Sequence, residues 1–147
     1  AEERHTGYLR AMQRAGLETE GLIYRGDYLT QSGAEGAAFL AGAGVDAIFA
    51  ASDTMALGAL QELRRRRITV PDEIAVAGFD DVLEASVSDP PLTTMRQDTR
   101  LLGREAAHTL FRLLNDSDAL PQRVILPTEL LIRQSTVGSM SRSPAST

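Results

Sequence analysis

Three apolar runs in this 147-residue chain end abruptly in acidic or hydrogen-bonding residues. After the first two runs, a stretch with helical periodicity begins. This pattern is typical of strands whose carboxyl ends meet at one edge of a parallel sheet, where open α/β sheets bind their ligands. It therefore predicts a pocket for a small polar molecule. The three junctions are Asp27-Tyr28, Ser52-Asp53 and Asp80-Asp81.

Helical and strand-like stretches alternate along the chain, which predicts an α/β fold with a parallel sheet flanked by helices. The sheet lacks a first strand, which we expect upstream of Ala1. Residues 46–51 are apolar throughout after Asp46 and should be covered on both faces. Residues 82–91 should form a loop or a short helical turn, and the Ser-rich residues 138–147 should be disordered. We predict helices over 2–15, 32–43, from Asp53 and from Asp98, and strands over 21–26, 46–51, 73–79, 92–96, 124–126 and 130–133.

Three of the predicted helices carry apolar or small residues at helical spacing, which indicates faces that pack. Ser52 or Asp53 can cap the second of these helices and Asp98 the third. The predicted faces are Ala34, Ala37, Ala38 and Leu40; Ala56, Ala59, Leu60 and Leu63; and Leu102, Ala106, Leu110 and Leu113 or Leu114.

Composition excludes several kinds of chemistry. The chain has no cysteine, and His5 and His108 lie far apart without a metal-ligand pattern, so neither a metal nor a cofactor is expected. No apolar stretch approaches the length of a membrane span, which is about 20 residues. A net charge of −5 argues against binding nucleic acid by bulk electrostatics.

The chain shows no signal peptide and begins with Ala1, already in a predicted helix, so we expect a fragment.

The junction residues each allow two interpretations. Ser52 or Asp53 can cap a helix, and the same helix N-terminus can also face a ligand. Asp80 can contact a ligand, or one of Asp80 and Asp81 can cap the next turn while the other faces solvent. Tyr28 can pack, or it can cover a ligand at the sheet edge. Nothing in the sequence supplies the Asp pair with a nucleophile, base or metal partner, so catalysis is not predicted.

The basic run 64–67 is interpreted as a solvated helix end, because cations are favoured at a helix C-terminus. The run is not interleaved with aromatic residues, as a nucleic-acid surface would be. Neither a Walker motif nor a complete Gly-x-Gly-x-x-Gly is present.

Four segments in register resemble the LacI/GalR family of bacterial transcription regulators: 47–60, 70–81, 89–98 and 126–136. The resemblance extends from about Arg4 to Val137. It implies a type I periplasmic-binding-protein-like fold, in which two subdomains close on a ligand. Residues 1–97 would form the C-terminal subdomain, residues 98–126 would cross to the N-terminal subdomain, and residues 127–137 would return. A helix-turn-helix domain would lie upstream.

The resemblance also implies an effector site. Arg4 matches an arginine that reaches the ligand, Tyr28 an aromatic residue of the pocket, and Asp80 an acidic residue that accepts from ligand hydroxyls or amines. Ser52 matches a position that is commonly asparagine, and a hydroxyl offers fewer donors than an amide. These residue types suit a sugar or similar polyol, and they also suit a purine.

The same resemblance implies a cytoplasmic homodimer with no membrane partner, which binds operator DNA through the upstream domain. The interface would use the start of the helix after Tyr28, the face of the helix after Asp53 that carries Leu57, and the loop from Glu84 to Asp89. These residues could instead serve the core of the domain. A solute-binding protein of a sugar ABC transporter shares the fold and is the alternative; an α/β enzyme is the third hypothesis.

Overall fold

The computed structural model describes residues 2–116 and 120–137, so the predicted disordered tail at 138–147 lies outside the described residues. The element order is that of an α/β fold, as predicted. Five helices and four strands are described: α1 (Glu2–Arg14), α2 (Thr30–Gly42), β1 (Ala47–Phe49), α3 (Asp53–Arg65), β2 (Ala75–Asp80), α4 (Leu83–Val87), β3 (Thr93–Gln97), α5 (Thr99–Asn115) and β4 (Thr128–Leu131).

The four described strands form one sheet in the order β1-β2-β3-β4. The first three strands are parallel, so the ends of β1, β2 and β3 lie at one edge. β4 is antiparallel to β3, which departs from a wholly parallel sheet. The reason is that the chain enters β4 at Thr128, opposite Gln97 at the end of β3, and runs back towards Thr94.

The core lies where α3 packs against α2 and β2. The predicted face of α3 is confirmed, because Ala56, Ala59, Leu60 and Leu63 are all buried. Helix α3 begins where the Ser52 side chain accepts a hydrogen bond from the backbone N–H of Met55.

Helices α2 and α3 approach one another through two glycines. A Cβ at Gly33 would overlap the backbone of Met55, and a Cβ at Gly58 would overlap the carbonyl oxygen of Thr30. The buried face of α2 is therefore made of Ser32, Gly33, Gly36 and Ala37, and the predicted Ala34, Ala38 and Leu40 lie at its margin, half-buried.

Two predicted strands are wrong. Residues 21–26 and 124–126 have no strand structure. In the first segment, Tyr24 packs on α2: its ring centroid lies 6.0 Å from that of Phe39, and its hydroxyl donates to Glu35 at 2.8 Å. The segment contacts α2 through this side chain and makes no strand pairing with β1. The expected double coverage of 46–51 is also wrong, since Phe49 is 42% exposed.

Helix α5 forms as predicted, and the Asp98 carboxylate caps it by accepting from the N–H of Leu101 at 2.8 Å. Its apolar stripe, however, faces solvent: Leu102, Leu110 and Leu114 are each more than half exposed. Helix α1 likewise buries none of its residues. The periodicity of α5 therefore marks a face that no described part of this chain covers.

Candidate functional site

Arg4 joins the carboxyl ends of two parallel strands. Its Nη1 donates to the carbonyl oxygen of Ala51, just beyond β1. Its Nη2 donates to Asp80 Oδ1 at 3.1 Å, at the end of β2. The guanidinium carbon lies 3.8 Å from the ring centroid of Phe79, close enough for a cation–π contact. The structure thus brings the predicted Arg4 and Asp80 together, although they are 76 residues apart.

Asp80 has a second neighbour, which the sequence did not reveal. Gln97, the last residue of β3, donates from Nε2 to Asp80 Oδ1 at 2.7 Å. Among the described residues nothing donates to Oδ2 of Asp80, and the side chain is one-third exposed. The site therefore combines a partly open carboxylate, a guanidinium and an amide at the ends of three adjacent strands. Such a set can donate to and accept from the hydroxyls of a polar ligand.

Ser52 and Asp53 have separate roles at the start of α3. Ser52 is buried and caps α3, as one of its two interpretations proposed; its contact with a ligand stays a prediction. Asp53 does not cap the helix. Its buried carboxylate accepts from the hydroxyl of Thr94 at 2.6 Å and from the N–H of Val82 at 2.9 Å. It therefore ties α3 to β3 and to the turn that follows Asp80.

Tyr28 lies on the same crevice as Arg4. The crevice has a volume of about 850 Å³ and runs between α1, the segment before α2, and β1. Tyr28 is 39% exposed and has a positive φ of 70°. The turn is stabilised by Asp27, whose Oδ1 accepts from the N–H of Leu29 at 3.0 Å. The ring is therefore accessible from the crevice, but it makes no described hydrogen bond to Arg4 or Asp80.

Asp81 makes different contacts from its neighbour Asp80. Its Oδ2 accepts from Arg96 Nε at 2.7 Å and its Oδ1 from Arg133 Nη2 at 2.7 Å. Burial by itself raises the pKa of Asp81, but the hydrogen bonds from Arg133 and Arg96 outweigh it and hold the pKa below its usual value. Of the two carboxylates, Asp80 is the more exposed and Asp81 is enclosed by arginines.

The basic run at the end of α3 is partly neutralised by its own helix. Arg65 and Arg66 both donate to Glu62, at 2.7 and 2.6 Å. These hydrogen bonds lower the pKa of Glu62 to about 2, so the carboxylate is charged at neutral pH. Arg64 lies 3.8 Å from Asp89. The arrangement agrees with a solvated helix end.

In residues 2–116 and 120–137, no group of three His, Cys, Asp or Glu side chains is arranged to hold a metal ion. None of the helices in this part of the chain combines the length and the apolar character needed to cross a bilayer.

Residues 1–136 match the model of the periplasmic binding protein-like domain, and the chain belongs to this family. Its relatives include the HTH-type transcriptional regulator CelR of Thermobifida fusca, which is 40% identical over 136 residues. The HTH-type regulator DegA of Bacillus subtilis (strain 168) is 37% identical over 135 residues. In each case the match covers 90% of this chain and 40% of the relative. These relatives are transcription regulators, not enzymes.

Solved structures show the same similarity. A complex of the transcriptional regulator CelR with cellobiose has a TM-score of 0.86 at 40% identity, covering 90% of this chain and 42% of the other. A lac repressor dimer bound to operator and the anti-inducer ONPF has a TM-score of 0.82 at 30% identity, covering 92% and 48%. The chain thus spans about two-fifths of the length of the curated relatives above.

Proposed function

We propose that this chain is the C-terminal half of the effector-binding domain of a LacI-type transcription regulator. The observation that carries the proposal is the cluster of Arg4, Asp80 and Gln97 at the shared edge of three parallel strands. The relatives support a regulator over the solute-binding protein of a transporter. Sequence upstream of Ala1 tests this choice: a helix-turn-helix agrees with the proposal, whereas a signal peptide contradicts it.

The proposed effector is a small sugar or similar polyol, and a purine is the second candidate. Asp80 would accept from ligand hydroxyls, Arg4 would donate, and Tyr28 would cover an apolar sugar face. Ser52 would add a weaker contact, because its hydroxyl already caps α3. Gln97 joins this set through its hydrogen bond to Asp80. The cellobiose complex of CelR makes cellobiose the first probe to use.

Replacing Asp80 with alanine should weaken cellobiose binding by about 10- to 150-fold. The change removes a charged acceptor, and such a hydrogen bond contributes about 1.5–3 kcal/mol of binding free energy. The measurement is calorimetric titration of the full-length regulator with cellobiose. The matched control is Asp72→Ala, which removes an exposed carboxylate outside the site.

Equal cellobiose affinity in the Asp80 and Asp72 variants would contradict the assignment of Asp80. If the unaltered regulator binds adenosine and not cellobiose, the purine replaces the sugar as the effector class. The same pair of variants then tests Asp80 with adenosine as the probe.

We infer that operator DNA is bound by a domain upstream of Ala1. This chain carries a net charge of −5, and two arginines of its basic run are paired with Glu62. At physiological salt, the 147-residue chain should therefore give no operator-selective band in a gel-shift experiment, whereas the full-length protein should. Selective retention by the chain alone would assign the run 64–67 to DNA contact.

The regulator is proposed to be a cytoplasmic homodimer with no membrane partner. Apolar side chains are exposed in or beside the predicted interface: Leu29 at the start of α2, and Leu83 and Val87 on α4. Leu57 packs against the edge of the core, so altering it would disturb folding as well. The side chain of Val87 is 75% exposed, so altering it tests the interface without disturbing the core.

Replacing Val87 with glutamate should weaken the dimer, because the charge would be buried against an apolar partner surface. The measurement is the dissociation constant from sedimentation equilibrium of the full-length regulator. The matched control is Leu17→Glu, an exposed position outside the predicted interface. Equal dimer strength in both variants would place the interface elsewhere.

We also propose the division of the chain that the family resemblance implies. Residues 1–97 belong to the C-terminal subdomain, 98–126 cross to the N-terminal subdomain, and 127–137 return. The exposed apolar stripe of α5 supports this division, because the N-terminal subdomain would cover it. Hydrogen exchange of the full-length regulator tests this division. We expect the upstream sequence to protect α5 from exchange, and a lack of this protection would contradict the crossing.

A further inference from the structure

We propose that Asp81 is a positioning residue: held by Arg96 and Arg133, it fixes the turn that directs Asp80 towards Arg4 and Gln97. The proposal rests on the proposed function, in which Asp80 contacts the effector. Asp81 itself is not proposed to touch the ligand. We call Asp81, Arg96 and Arg133 the arginine clamp.

The arginine clamp and the effector site use neighbouring residues of β3. Successive side chains of a strand point to opposite faces of a sheet. Arg96 donates to Asp81 at 2.7 Å, and the next residue, Gln97, donates to Asp80 at 2.7 Å. Asp80 and Arg96 are register partners in the β2–β3 ladder, so the residues that hold the two carboxylates lie side by side at the end of the sheet.

Arg133 is anchored firmly enough to act as a fixed donor. Its backbone N–H donates to Thr93 Oγ1 at 2.8 Å, and its Nη1 donates to the carbonyl oxygen of Leu92 at 2.9 Å. The side chains of Arg133 and Asp81 are 19% and 12% exposed, so this ion pair is largely withdrawn from water. Partial burial makes such a charge-assisted bond stronger than an ordinary surface ion pair.

The backbone of the turn needs this support. Asp80 has a φ of 124° and Asp81 a φ of 61°, in the region that residues other than glycine rarely adopt. Conformations of this kind persist only where surrounding contacts determine them. The turn is held at three successive residues: Asp80 by Arg4 and Gln97, Asp81 by Arg96 and Arg133, and the N–H of Val82 by Asp53.

Without the clamp, the turn can relax and Asp80 loses its fixed direction. Replacing Asp81 with asparagine removes the charge that holds two guanidinium groups while changing the size of the side chain little. The matched control is Glu129→Gln, which removes the other carboxylate near Arg96, at 3.4 Å, and leaves Asp81 intact. Both variants remove one negative charge within reach of Arg96.

The test uses the full-length regulator and two measurements. The first, without ligand, is the exchange rate of the Gln97 side-chain amide protons by NMR, which should rise in Asp81→Asn as the bond to Asp80 loosens. The second is titration with cellobiose, whose affinity should fall about tenfold. Glu129→Gln should change neither the exchange rate nor the affinity. Arg133→Lys keeps one charged donor, so its effect on both should be smaller than that of Asp81→Asn.

Natural exchange of the Gln97 amide together with natural cellobiose affinity in a folded Asp81→Asn variant would overturn the proposal. So would equal effects in Asp81→Asn and Glu129→Gln. If Asp81→Asn does not fold, Arg133→Lys carries the same two measurements. Failure of the proposed function gives a different result, because Asp80→Ala would then leave cellobiose affinity unchanged. In that case the exchange rate of the Gln97 amide would still test the role of the clamp.

Discussion

Replacing Asp53 with alanine should lower the free energy of unfolding by about 4 kcal/mol, because two hydrogen bonds to one buried carboxylate disappear together and each contributes about 1.5–3 kcal/mol. The hydroxyl of Thr94 and the N–H of Val82 would lose their acceptor. Urea unfolding of the full-length regulator, with its slope checked for two-state behaviour, measures the change.

Thr94→Val provides the comparison for Asp53. It removes only the hydroxyl that donates to Oδ1 and leaves the bond from Val82 in place. Thr94→Val should lower the free energy of unfolding by less than Asp53→Ala does, by about 1–3 kcal/mol. If Asp53→Ala costs no more than Thr94→Val, Asp53 does not link α3 to the turn after β2 in the way the geometry indicates.

Replacing Gly58 with alanine should lower the free energy of unfolding by about 3 kcal/mol, at the upper end for an overpacked core. The added Cβ would overlap the carbonyl oxygen of Thr30, which belongs to the backbone of α2 and cannot move aside as a side chain could. The two helices would have to separate. The same urea experiment measures this loss.

Gly7→Ala is the control for Gly58, since Gly7 also lies inside a helix, α1, but a Cβ there would meet no described atom within 4 Å. Alanine there should raise the free energy of unfolding by about 0.5–1 kcal/mol through helix propensity alone. The two substitutions should therefore have opposite signs. A stabilising effect at both positions would show that α2 and α3 do not meet through Gly58.

The helices could be predicted because their signals are local. On α3, apolar residues at helical spacing correctly identified Ala56, Ala59, Leu60 and Leu63 as buried. On α5, a capping aspartate marked the N-terminus. Periodicity shows that a face is apolar but not what covers it, which is why the stripe of α5 was predicted and yet lies exposed.

Pairing between strands could not be predicted in the same way. The apolar residues of 21–26 are compatible with a strand, but a strand also needs a neighbouring edge to pair with. Here Tyr24 packs on α2 instead. Likewise, the antiparallel direction of β4 depends on the path of the chain after α5, which no local pattern encodes.

The candidate site was predictable in part. The family resemblance identified Arg4 and Asp80, which the structure brings together. Gln97 was missed, and so were the contacts of Asp53 with Val82 and Thr94. Their partners lie 17, 29 and 41 residues away, and a hydrogen bond between distant residues leaves no periodic pattern in the sequence. The alternation along β3 could have suggested that Arg96 and Gln97 face opposite sides of the sheet.

The lengths of the strands bear on how copies of this molecule can associate. Within residues 2–116 and 120–137, the outer strands of the sheet, β1 and β4, have three and four residues, whereas the inner strands β2 and β3 have six and five. Short outer strands present few unpaired peptide groups, which is one way that proteins avoid templating fibrils. Extension of the sheet from one copy into the next through the edges of β1 and β4 is thus disfavoured.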